Sequence, residues 1–120
     1  MKKVKVLTFL FLVAATFLWN CGSNSPLEPS GPGPNEVWIQ GGQFNPTSLT
    51  VSPKTTVTWI NKDNDTRDVQ SGAEMSPTTE FASPNIDPNK TFSHTFPIAG
   101  IFNYYSVITG ATGVIIVQTN

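Results

Sequence analysis

Thr55-Thr56-Val57-Thr58-Trp59-Ile60-Asn61-Lys62-Asp63 is the stretch that decides the fold. Val57 and Trp59 alternate with threonines, and β-branched and aromatic residues fill the segment until a polar run ends it. A period of two with that composition predicts a half-buried strand, apolar on one face and hydroxylated on the other. The pattern continues in both directions. Upstream, Val37 and Ile39 begin an alternating run, and Leu49 and Val51 begin another that Pro53 ends. Downstream, Thr91–Phe96 places Phe92, His94 and Phe96 on one face, and Ile101–Ser106 is aromatic and β-rich. Val114–Val117 is continuously apolar, as a central sandwich strand is. No window sustains helical periodicity. Strands recurring at roughly ten-residue spacing, with Pro, Gly and Asn between them, predict an all-β Greek-key sandwich. The stretch from Lys62 to Lys90 is polar, and Met75, Phe81 and Ile86 are its expected inward anchors.

The chain before this domain has a different character. Lys2, Lys3 and Lys5 precede an almost wholly apolar run from Val6 to Trp19. This has the length of a signal-peptide core and is short for a membrane span. Cys21 follows directly, with Leu18 three residues before it, which resembles a bacterial lipobox. Trp19 and Asn20 depart from the small residues that pattern prefers. The expectation is lipidation of Cys21, which gives firm membrane attachment when several acyl chains are added. Residues 22–35 hold four prolines and three glycines and read as a flexible tether. The predicted organisation is a lipoprotein signal peptide over 1–20, a tether over 21–35 and the β-domain over 36–120. Its predicted location is the bacterial cell envelope, lipid-anchored on the periplasmic side or the cell surface after secretion across the inner membrane.

The 120 residues carry 7 Lys+Arg and 8 Asp+Glu, net −1. From Cys21 onward only Lys54, Lys62, Arg67 and Lys90 oppose Glu28, Glu36, Asp63, Asp65, Asp68, Glu74, Glu80 and Asp87, four against eight, for a net of −4. A sparse acidic surface argues against nucleic acid, whose binding rests on neutralising phosphates. One Cys and one His, Cys21 and His94, exclude an internal disulfide and any metal site that needs a Cys with two His from one chain.

Phe44-Asn-Pro, Leu49-Thr-Val and Thr56-Val-Thr-Trp-Ile-Asn-Lys-Asp open an ordered series. Val69-Gln-Ser-Gly, Phe81-Ala-Ser, Thr91-Phe-Ser-His-Thr-Phe, Gly100-Ile-Phe-Asn-Tyr-Tyr and Gly113-Val-Ile-Ile-Val continue it. Over residues 37–118 this resembles a cupredoxin of the plastocyanin and amicyanin type. The resemblance implies a Greek-key sandwich with type 1 copper at one end. There the metal is held by a His after the Trp-x-Asn-x-Asp strand and by a loop reading Cys-x-x-His-x-x-Met. Carried over by position, the first His falls on Arg67, the Cys on Ser106 and the second His on Thr109. The Met falls on Thr112 counting forward and on Ala111 counting back. None of the ligand types is present. Serine supplies no thiolate, and a guanidinium stays protonated and has no lone pair to donate. The expectation is a domain with no copper cofactor, although the family carries one.

Other residues invite weaker readings. His94, between Phe92 and Phe96, reads as a core-edge histidine packing with aromatics and satisfied by one hydrogen bond, and alternatively as a lone copper or zinc ligand; with Met75, if adjacent, it could bind a copper ion weakly. Asp63, Asp65 and Asp68, with Glu74 eleven residues after Asp63, superficially match the count of a calcium loop. Asp68 occupies the position that needs Gly, so a polar turn is the expectation. Arg67 is expected to pair with Asp65 or Asp68. Ser106 and Thr109 have no adjacent base, and no Gly-x-Ser-x-Gly elbow is present, so no enzyme activity is expected. The predicted function is a membrane-tethered, metal-free binding or structural module. Its expected partners are the membrane, through lipidated Cys21, and a protein at the Arg67, Ser106 and Thr109 end. A copper-handling or electron-transfer protein with a non-standard site is the alternative.

Overall fold

The computed structural model describes residues 29–120, and Cys21 and the signal segment lie outside that range. Gly31–Asn120 forms one compact unit. It is all-β, with nine strands: β1 (Glu36–Gln40), β2 (Gln43–Asn45), β3 (Ser48–Val51), β4 (Thr55–Asn61), β5 (Gln70–Ala73), β6 (Ser76–Ala82), β7 (Thr91–Phe96), β8 (Gly100–Tyr105) and β9 (Thr112–Val117). They make two sheets, in the orders β2-β1-β4-β7 and β3-β9-β8-β5-β6. Among the described residues no helix is long and apolar enough to cross a membrane.

The Thr55–Asn61 strand behaves as its alternation dictates. Val57, Trp59 and Asn61 are buried, and β4 pairs antiparallel with β7 and parallel with β1. Its other face carries a hydroxyl ladder. Thr56 and Thr95 share a hydrogen bond of 2.7 Å, and Thr58 and Ser93 one of 2.9 Å. Such cross-strand pairs stabilise an exposed sheet face by a few tenths of a kcal/mol each. Trp59 sits at the centre of the core, with Phe81, Phe92 and Tyr104 at ring distances of 5.6, 5.7 and 5.3 Å. Gly113 leaves room for the Tyr104 ring, which a Cβ at that position would strike. The Tyr104 hydroxyl is buried with no hydrogen-bond partner. Burial pushes it up to about 12, partly offset by the neighbouring Trp59 indole.

Two expectations change. Val37, Trp38 and Ile39 are all buried, so β1 does not alternate. Trp38 is covered in part by Lys62, whose ammonium lies 4.4 Å above the ring. Phe81 and Ile86 are buried anchors as expected, but Met75 is 93% exposed on the turn between β5 and β6. The polar stretch after Lys62 contains those two strands, which its weak alternation concealed.

Candidate functional site

The β8–β9 loop, the β1–β2 turn and the Asn61–Asp68 connection meet at one end of the sandwich. Asn61, fully buried at the end of β4, organises the connection. Its amide donates to the carbonyls of Asp65 and Ile86, both at 2.8 Å, and its carbonyl accepts from Asp63 N–H at 2.8 Å. Arg67 and Ile86 also exchange backbone hydrogen bonds of 3.0 and 2.8 Å. A side chain committed this fully fixes where the next seven residues can point.

Asp63 then faces the β1–β2 turn. Gly41 N–H donates to its Oδ1 at 2.6 Å and Gly42 N–H to its Oδ2 at 2.8 Å. Both glycines have positive φ, 63° and 73°, and that backbone aims successive amides at one acceptor. Arg67 Nε donates to Asp63 Oδ2 at 2.9 Å. Burial pushes the Asp63 carboxyl up, but the Gly42 and Gly41 amides and the Arg67 guanidinium outweigh it and hold the group below its usual value. Of the two pairs expected from sequence, the one with Asp65 is present as a long contact, the one with Asp68 is not, and Asp63 is the nearer partner. Arg67 pairs with Asp63, its NH2 is 4.0 Å from the exposed Asp65, and Asp68 is engaged elsewhere.

Asp68 turns inward and holds the β8–β9 loop. Ser106 Oγ–H donates to its Oδ1 at 2.7 Å, Ile108 N–H to the same oxygen at 3.1 Å, and Val107 N–H to Oδ2 at 3.0 Å. Ser106 Oγ in turn accepts Thr109 N–H at 3.0 Å. Gly110 N–H donates to Ser106 C=O at 2.8 Å and Ser106 N–H to Ala111 C=O at 2.9 Å. Thr109 Oγ–H donates to Gly42 C=O at 2.9 Å, which joins this loop to the β1–β2 turn. Ala111 is buried, and Thr112 is exposed at the start of β9.

Arg67, Ser106 and Thr109 therefore belong to one hydrogen-bonded end of the molecule. A type 1 copper needs a thiolate and imidazoles there. The positions offer a guanidinium held by a carboxylate and two hydroxyls already bonded to Asp68 and Gly42. This donor set does not fit the metal. Among the described residues no group of three or more His, Cys, Asp or Glu is placed to hold a metal ion.

His94 lies away from this network, on β7. Its ring packs against Phe81 at 4.8 Å and edge-on to Phe96 at 4.7 Å. Burial lowers its pKa, and nearby Glu80 opposes that. The aromatic packing expected of His94 is present. Met75 lies 93% exposed on the β5–β6 turn. Asp68 was the functional residue least visible in sequence. The one signal is that it abuts buried Val69, where the polar run from Asn61 ends.

No family model and no curated protein matches the chain. Solved structures do. The purple cupredoxin of Nitrosopumilus maritimus aligns with a TM-score of 0.64 at 26% identity, over 69% of this chain and 98% of its own. A methionine-to-alanine variant of amicyanin in its Cu(I) form aligns at 0.62 and 23% identity, over 77% and 86%. An oxidised methionine-to-leucine variant of amicyanin aligns at 0.63 and 24% identity, over 73% and 85%. By its two-sheet architecture and these neighbours the domain is a cupredoxin in fold.

Proposed function

We propose that the chain is a membrane-tethered, metal-free cupredoxin-fold module that binds or scaffolds another protein, without type 1 copper electron transfer and without enzymatic activity. The observation that carries this reading is the Asp68 carboxylate, which accepts three hydrogen bonds from Ser106, Val107 and Ile108. The loop that binds copper in the resembled family is here closed on an internal anion. The sequence expected no base beside Ser106, and the structure places the Asp68 carboxylate there; with Ser106 2% exposed and its oxygen also accepting Thr109 N–H, the hydroxyl serves to close the loop. The same loop presents Val107 and Ile108, 67% and 49% exposed. Paired apolar side chains on a rigid loop suit a protein contact.

Attachment through Cys21 and residence in the cell envelope complete the proposal, and they rest on the Leu18–Cys21 pattern and the Pro/Gly-rich segment after it. The test is direct. Protein purified from a bacterial host and exposed to Cu(II), then desalted, is expected to retain no copper and show no intense visible band. One retained copper per chain would overturn the metal-free reading. Mass spectrometry of the membrane fraction is expected to find the N-terminal peptide starting at an acylated Cys21, and an unmodified soluble chain would overturn the tether.

A further inference from the structure

β7 is an edge strand of the sheet β2-β1-β4-β7. Its register against β4 runs from Thr55↔Phe96 to Ile60↔Thr91. Asn61 N–H donates to Lys90 C=O at 3.0 Å and Lys54 N–H to Phe96 C=O at 2.6 Å, so both carbonyls point to the β4 side. Backbone groups alternate sides along an antiparallel strand. Phe92, His94 and Phe96 therefore direct theirs toward β4, and Thr91, Ser93 and Thr95 direct theirs away from it. Among the described residues no strand pairs with that outer side. The side chains of Thr91, Ser93 and Thr95 are exposed there, and Phe92 and His94 are only half-buried.

The other three edge strands are blunted. β2 has three residues and ends just before Pro46. β3 has four and ends two residues before Pro53. β6 contains Pro77 and Glu80. Short strands, prolines and charges are the devices that keep a sheet edge from pairing with another chain. β7 has six residues, Thr91-Phe92-Ser93-His94-Thr95-Phe96, and none of them is Pro, Gly, Lys, Arg, Asp or Glu.

We propose that β7 pairs antiparallel with β7 of a second copy of this chain, about a two-fold axis at Ser93. The strand is self-complementary in that register, which is what a two-fold contact requires. Thr91 stands opposite the partner's Thr95, and Ser93 opposite the partner's Ser93. No other antiparallel register matches the N–H and C=O groups of all three outward residues on both strands. On the outer face the new hydroxyl pairs extend the existing Thr56–Thr95 and Thr58–Ser93 ladder. On the inner face Phe92 meets the partner's His94 at a position without mutual hydrogen bonds, where side chains approach most closely. That contact covers the two rings a single chain leaves half-buried. Lys90, which flanks the strand, falls opposite the partner's Phe96, so the strand pair sets no like charges face to face. A strand pair alone is a small contact of the weak class, and the tether proposed above would raise the effective concentration of copies. β7 lies apart from the Asp68 loop, so this proposal and the metal-free reading are tested separately.

The test is disulfide cross-linking of the full chain in the bacterium that expresses it, under mild oxidation. The wild type, whose one cysteine is Cys21, gives the background. Ser93→Cys sets two thiols on the axis, with Cα atoms about 5.5 Å apart, within disulfide reach. It is expected to give a dimer at least about fivefold above background, mapped by mass spectrometry to position 93 in both chains. Thr91→Cys and Thr95→Cys each place their two thiols about 14 Å apart and are expected to stay at background when expressed singly. Expressed together, they are expected to cross-link to each other. Adding Ser93→Lys to both sets two ammonium groups opposite each other and is expected to lower that cross-link about fivefold. Three results would overturn the proposal: equal cross-linking of all three single variants, no cross-link above background from either Ser93→Cys or the mixed pair, or an adduct at position 93 with a different protein. The last would assign the edge to a strand of that protein.

Discussion

The Asp68 carboxylate and the Ser106 hydroxyl meet at 2.7 Å, buried, across 38 residues of chain. This contact fastens the β8–β9 loop to the connection that follows β4. Together with Val107 and Ile108 N–H it leaves the carboxylate compensated and the loop rigid. The loop therefore has a structural anchor of its own that no metal supplies.

Asp68→Ala removes three hydrogen bonds to a charged acceptor and leaves the Ser106 O–H without an acceptor, while Ser106 Oγ still accepts Thr109 N–H. The expected cost is about 3 kcal/mol, against about 1 kcal/mol for Ser106→Ala, which keeps the two amide contacts. Urea unfolding measures both, and equal costs for the two variants would contradict this assignment.

Asp63 gives the domain an acid sensitivity. Its folded pKa lies below the ordinary 3.8, so the ionised form is favoured by folding. Its contribution is fully present above about pH 4 and is lost as pH falls through the folded value. Asp63→Asn is expected to cost about 1–2 kcal/mol at neutral pH and to flatten the stability profile below about pH 4. An unchanged acid limb in that variant would show that other carboxylates set it.

His94 acts in a higher window. Its pKa is lowered from 6.5 by burial, with Glu80 opposing, so the unfolded chain takes up the proton first. Stability is expected to fall as pH drops from about 6.5 to the lower folded value and to level off beneath it. His94→Phe keeps the ring contacts with Phe81 and Phe96 and should abolish that slope. Chemical denaturation at about pH 8 and about pH 5 decides the matter.

The positional correspondence can be tested by restoring donors. Arg67→His with Ser106→Cys and Thr109→His supplies one thiolate and two imidazoles, the set that suits copper. The triple variant is expected to retain Cu(II) and gain an intense visible band, whereas Ser106→Cys alone is not. A colourless triple variant would mean that these three positions do not converge on one metal-sized space.

Much of this was legible in the chain. Strand facing is a local property with a period of two, so Val57 and Trp59 announced an inward face and Phe92, His94 and Phe96 another. The count of one Cys and one His was equally plain, because residue identity alone decides how many thiolates and imidazoles the chain can offer. The polar stretch was harder. The β5–β6 hairpin forms around Gly72 and is held by Ser71 and Thr78, whose hydroxyls share a hydrogen bond of 2.8 Å, with little apolar alternation to reveal it.

The sequence by itself determined a β-sandwich with a run of inward aromatics and no type 1 donor set. Only the tertiary structure decided which carboxylate does what. Asp63, Asp65 and Asp68 are near-equivalent in sequence, yet Asp63 caps the Gly41–Gly42 turn, Asp65 is exposed and Asp68 is buried against Ser106. Their partners come from β1–β2 and β8–β9, more than twenty and nearly forty residues away. Such pairings depend on where the sheets bring distant turns together, and no local pattern of side chains encodes that.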